Sequence, residues 1–93
     1  MIEVHAKGTW GIVSTKTGKP LVRRLRIDRK YQIDAPMNIE IVRRAVAEAD
    51  LRSMMVAEFH QMLKSDRALY LKIGRTQWSV EPDKITYQYE EQE

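Results

Sequence analysis

The stretch from residue 38 to residue 64 constrains this chain more than any other feature. Its 27 residues contain no Gly and no Pro, which reads as helix. An apolar spine runs along it through Ile41, Ala45, Ala49, Val56, Phe59 and Leu63. The first half widens that spine on one side with Ile39, Val42 and Val46; the second half widens it on the other with Leu51, Met55 and Met62. At about 100° per residue the combined arc approaches ~240°. A helix lying on a core needs an apolar stripe of only about 100° or somewhat more. Either the helix bends or breaks near Asp50, or a second partner covers the surplus.

Length bears on the same choice. A continuous helix here would be ~40 Å long. It would overhang the sheet of a compact domain whose radius of gyration is about 12 Å. Asp50 could cap a second helix beginning at Leu51. Against a break, Glu40–Arg44 and Glu48–Arg52 are favourable (i, i+4) pairs, and the second spans the proposed break. The reading favours one bent helix over two.

Around this region the pattern is that of strands. Residues 2–13 alternate, with Ile2, Val4, Ala6, Trp10 and Ile12 on one face and Glu3, His5, Lys7 and Thr9 on the other. Gly8 and Gly11 weaken the strand and mark a bulge or a close backbone approach. Residues 14–20 form a turn, with Gly18 free to take positive φ. Residues 21–33 make a second strand and a long hairpin. Asp34 or Asn38 is placed to cap the helix, and Pro36 is tolerated in its first turn. After the helix ends at Ser65-Asp66, Leu69, Leu71 and Ile73 read as a third strand, Trp78 and Val80 as a fourth, and Ile85, Tyr87 and Tyr89 as a fifth beyond Pro82. The expected fold is α+β: a mostly antiparallel sheet of about five strands, in the order β-β-α-β-β-β, packed by one long, bent or broken helix. Residues 1–93 make a single domain, and the acidic residues 90–93 are expected to fray.

Composition narrows the class. The chain has no cysteine, which excludes disulfides and thiolate metal sites. No apolar run reaches the ~20 residues that span a bilayer, and the start reads as a strand rather than a signal peptide. A cytoplasmic protein is the expectation. The formal net charge of +3 hides an asymmetry. Residues 1–30 carry +6 and residues 76–93 carry −4. That polarity suits an anionic partner, or pairing between the two ends.

Chemistry-bearing motifs are sparse. His60 is followed by Gln61, so no HExxH metal site exists, and the helix neighbours of His60 are not ligands. Gly18-Lys19 fails as a phosphate loop, because Val13 stands where its first glycine belongs and Pro20 where Ser or Thr belongs. No nucleophile elbow is present. No enzyme, no cofactor, no metal and no small-molecule substrate is expected.

Two surfaces remain. The apolar helix residues Ile39, Val42, Val46, Leu51, Met55, Phe59 and Met62 form a candidate protein interface, with methionine suited to irregular contacts. Lys16, Lys19, Arg24, Arg26 and Lys30 form a basic ribbon that could follow a nucleic-acid backbone. Its bland counterpart is a solvated strand kept charged against edge pairing. Residues 38–49 and 51–64 could also be a helix-turn-helix, though the second segment carries little for reading a groove. The leading expectation is a small non-enzymatic binding protein, an adaptor, assembly component or inhibitor, acting through a protein–protein interface as a homodimer. The alternative is nucleic-acid binding through the hairpin of residues 16–30.

Overall fold

The computed structural model of the protein describes residues 1–92. Its elements are β1 (Ile2–Ser14), β2 (Pro20–Ile33), α1 (Glu40–Ser65), α2 (Arg67–Ile73) and β3 (Trp78–Glu91). The strands form one antiparallel sheet in the order β2-β1-β3, and both helices pack on one face of it. This α+β architecture corrects the expected five strands under one long helix: the described residues form three strands and two helices.

Two misreadings account for the difference. Leu69, Leu71 and Ile73 were read with the period of a strand, but they lie on helix α2. The Asp66 carboxylate accepts the Leu69 backbone N–H at 3.0 Å, which caps the first turn. Ile73 is buried, whereas Leu71 is 72% exposed. The expected fourth and fifth strands are one strand, β3. Pro82 does not break it, because β3 lies at the sheet edge and proline is tolerated there.

A bulge hides this continuity from the sequence. Gly8 of β1 faces Ile85 and Trp10 faces Pro82, so Asp83 and Lys84 together oppose Thr9. The extra residue flips the parity of β3. Trp78, Val80 and Pro82 on one side of it share a face with Ile85, Tyr87 and Tyr89 on the other. A second bulge sets Arg23 and Arg24 of β2 against Gly11, and so turns Arg23 away from the apolar face it would otherwise interrupt. Both bulges press on a glycine of β1. A Cβ on Gly8 would lie 1.8 Å from the Lys84 carbonyl oxygen, and one on Gly11 would lie 2.7 Å from that of Val22.

The helix α1 is continuous through Asp50, so no helix-turn-helix forms. It does not overhang. Strands of 13 and 14 residues run for ~45 Å at about 3.3 Å per residue, and the molecule measures 45 × 25 × 18 Å. The helix starts without a side-chain cap: Ile39 is its N-cap, and neither Asp34 nor Asn38 closes it. Arg43 instead reaches back to the Met37 carbonyl at 2.7 Å.

The buried residues of α1 are Ala47, Leu51, Met55, Phe59 and Leu63. They stand four apart. Each step of four advances about 40° around the helix, so the core-facing direction turns by ~160° from first to last. Such an inclined row suits a helix lying across a long twisted sheet. The second half packs Leu51, Met55, Phe59 and Leu63 with Trp10, Ile12, Ile27, Ile73 and Val80. The rings of Trp10 and Trp78 both meet Phe59 edge-on, at 6.5 and 4.8 Å. In the first half Ala47 is the residue fully buried in the smaller cluster of Ile2, Val4 and Ile33, with half-buried Val46 packed against it. There the sheet offers tyrosines. Arg43 lies over Tyr89 at 4.2 Å and Arg44 over Tyr87 at 4.6 Å, contacts worth about 0.5–1 kcal/mol each when exposed. The Tyr31 hydroxyl donates to the Ala47 carbonyl at 2.6 Å.

At the C-terminal end, β3 runs as far as Glu91, and the Gln92 N–H donates to the Met1 carbonyl at 2.9 Å. Glu93, part of the tail expected to fray, lies outside the described residues.

Two stability measurements follow from this packing. Leu51→Ala should cost about 2–5 kcal/mol in denaturant unfolding, while Leu71→Ala, on the exposed side of α2, should stay within about 0.5 kcal/mol. Gly8→Ala should destabilise by more than ~2 kcal/mol, because its Cβ meets backbone at a positive φ of 154°. Gly18→Ala, at φ 74° with open space around it, should lose only about 1 kcal/mol.

Candidate interaction surfaces

The turning contact line decides which apolar residues of α1 stay outside. Leu51, Met55 and Phe59, expected at an interface, are fully buried in the core; they hold the fold and offer no surface. Val46 and Met62 are half-buried against the two core clusters. Ile39 and Val42 do stand in solvent, 47% and 40% exposed. The sequence reading placed Ile41, Ala45 and Ala49 on the spine facing the core. They are exposed instead, Ile41 to 83%. At about 100° per residue, Ile41, Val42, Ala45 and Ala49 lie on the side of the helix opposite Ala47. The straight spine is therefore a real feature that the sheet follows only in the second half. Toward the C-terminal end the stripe meets a hollow between α1 and β3, lined by Arg52, Val56, His60, Trp78 and Val80. The Arg52 guanidinium is held there by the Val80 carbonyl at 2.5 Å and stands 4.0 Å from Glu48.

The basic residues are arranged on the other side of the sheet. Register opposes Arg26 to Thr9 and Lys30 to His5, so both project from the face without helices. Lys16 and Lys19 sit on the β1–β2 turn, and all four are exposed. Arg24 joins them through its bulge, in which it takes a positive φ of 57°. Arg23, which strict alternation would put on the same face as Leu25 and Ile27, is exposed too. Arg29 is the exception: it faces the helices and pairs with Glu58 of α1 at 2.7 Å.

The acidic C-terminal strand does not neutralise this row. β1 lies between β2 and β3, which puts the two edges ~9.5 Å apart. Among the described residues, none of Lys16, Lys19, Arg23, Arg24, Arg26 and Lys30 joins an ion pair. The one acid within the row is already engaged. Asp28 meets the His5 Nε2 at 2.5 Å and the Lys7 ammonium at 4.0 Å. The hydrogen bond to His5 holds its carboxyl below the ordinary value, with the nearby cations adding to the effect. Burial pushes the Tyr31 and Tyr87 phenols up. His60 is exposed and rests against Trp78, ring centroids 5.0 Å apart. Among the described residues no three His, Asp or Glu side chains converge as a metal site would need.

The Asp28 shift sets a sign. A carboxylate whose folded value is depressed gives its stabilisation above the unfolded value and loses it as pH falls through the folded one. Carbon-detected NMR titration should place the Asp28 midpoint below that of an ordinary aspartate. His5→Gln should move that midpoint up.

Comparison of the chain with protein-family models, with curated proteins and with solved structures finds no match.

Proposed function

We propose that this protein is a small non-enzymatic binding protein that acts through the exposed face of α1, and that the face pairs with a second copy of the chain. The observation that carries the reading is the solvent-facing stripe of Ile41, Val42, Ala45 and Ala49, extended by Ile39. An apolar stripe of this kind on a small domain marks an interaction surface. Full burial of an Ile or Val side chain contributes about 1.5–3 kcal/mol, and a two-fold axis doubles each contribution.

A second copy fits the chemistry of this face. Ala45 and Ala49 allow two helix backbones to approach closely. At about 1.5 Å per residue, Ile41 stands ~13 Å before Asp50 and His60 ~15 Å after it. An antiparallel copy centred near Asp50 brings each Ile41 level with the Val56–His60 end of the other stripe. It also sets each Glu48 opposite the other copy's Arg52, an exchange of opposite charges across the axis. The fully buried Leu51, Met55 and Phe59 take no part.

Sedimentation equilibrium from about 1 to 100 µM tests this. The expected mass is twice the 10.9 kDa of one chain. Ile41→Asp should return it to the monomer without loss of helical circular dichroism, since Ile41 makes little of the fold. The chain has no cysteine, so Ala49→Cys should cross-link to a dimer under oxidation while Ala57→Cys, off the stripe, should not. Wild-type protein that stays monomeric throughout this range would defeat the second-copy reading.

A further inference from the structure

The start of the basic edge is more organised than a row of solvated strand residues requires. The β1–β2 turn rests on the loop between α2 and β3: the Thr15 N–H donates to the Gln77 carbonyl at 3.0 Å. Between them lies a hollow lined by Ser14, Lys16, Thr17, Arg75, Thr76 and Gln77. It combines two cations from distant parts of the chain with hydroxyl and amide groups, and no acid lines it. Arg75 forms no ion pair among the described residues. From this hollow the cations Lys19, Arg23, Arg24 and Arg26 continue along β2.

We infer that the hollow and the β2 edge form a binding site for the phosphodiester backbone of a nucleic acid. Arg24 and Arg26 are two residues apart on the β2 edge, with Arg24 set in the bulge at a φ of 57°, so the pair presents two guanidinium groups to neighbouring phosphates of one strand. Guanidinium groups, hydroxyls and the unpaired N–H groups of an edge strand are all phosphate donors. Arg23 and Arg24 share a hollow over Gly11 with Glu81 and Asp83; the two acids belong to β3, beyond β1 from the β2 edge, so the path free of acids runs along that edge and not across the sheet. The aromatic side chains of the strands, Trp10, Tyr31, Trp78, Tyr87 and Tyr89, pack toward the helices. None is free to stack on a base, which makes the contact one with backbone and independent of sequence. The row also lacks an apolar side chain for insertion into lipid, which favours a nucleic acid over an anionic membrane. The β2 part of this site is on the opposite face from the α1 stripe, whereas the hollow shares Thr76 and Gln77 with the one at the C-terminal end of that stripe; the inference does not rest on the second copy.

Fluorescence anisotropy with a labelled 20-base-pair duplex, between 50 and 300 mM salt, tests the inference. Five or six phosphate contacts give a log–log slope of about −4.5 to −5.4. Lys16→Gln with Arg75→Gln should make that slope shallower by about 2, as should Arg24→Gln with Arg26→Gln, with affinity at 100 mM salt reduced at least ~10-fold in each. All four residues lie outside the core, and circular dichroism checks that each pair of changes leaves the fold intact. Three results would overturn the inference: no binding at 50 mM salt, a slope untouched by either pair, or tighter binding to phosphatidylserine vesicles that the same changes abolish.

Discussion

The contact line between α1 and the sheet is the constraint on which the rest depends. A helix of 26 residues laid on three strands of similar length cannot keep one face down, because the sheet turns beneath it. The buried row of Ala47, Leu51, Met55, Phe59 and Leu63 follows that turn at intervals of four residues. The same residues that make the second half of the helix a core element fix the azimuth of the first half. That azimuth leaves Ile41, Val42, Ala45 and Ala49 pointing at water. Exposure of the stripe is thus a consequence of how the core is built.

The opposite face obeys a different requirement. Each outer strand must place two charged residues where the alternating pattern allows one, and each does so by a bulge: Arg23-Arg24 on β2 and Asp83-Lys84 on β3. Central strand β1 accommodates both with glycine. The result is a sheet with a basic edge, an acidic edge and a neutral divider. Like charges oppose pairing of β2 with β2 or of β3 with β3 in another copy, a protection that two long open edges need. The proposed pairing of copies through the helix layer leaves the β2 edge uncovered.

Several of these elements were legible in the residues. The alternation of β1, the Gly18 turn, the hairpin and the helical character of residues 40–65 depend on local pattern, and local pattern reports them. So do Lys16, Lys19, Arg24, Arg26 and Lys30, whose exposure follows from charge. Gly8 and Gly11 marked a bulge or close backbone approach at both places, but which strand carries the extra residue was not legible, because a parity flip is set by register against a neighbouring strand. That is why β3 was divided at Pro82, and why strict alternation along β2 misplaces Arg23. Helix α2 left one usable signal, Asp66 as a cap followed by helix-forming Ala68 and Leu69 and closed by Gly74. The error on α1 was of another kind. Hydrophobicity alone sent Ile41 and Ala45 inward and gave Leu51, Met55 and Phe59 to a partner. The sheet beneath the first half carries Tyr87 and Tyr89, which take Arg44 and Arg43 in place of aliphatic side chains. Arg75 comes beside Lys16 only because the α2–β3 loop folds against the β1–β2 turn, a contact without a sequence signature.

The rotation of the helix face is the central claim, and methyl NOE spectroscopy reads it most directly. Ala45 and Ala47 are two residues apart and carry the same side chain, so they report on opposite sides of α1. The account predicts cross-peaks from the Ala47 methyl to methyls of Val4 and Ile33 and none from Ala45 to the sheet. Cross-peaks from Ala45 to those sheet residues, with Ala47 showing none, would contradict it.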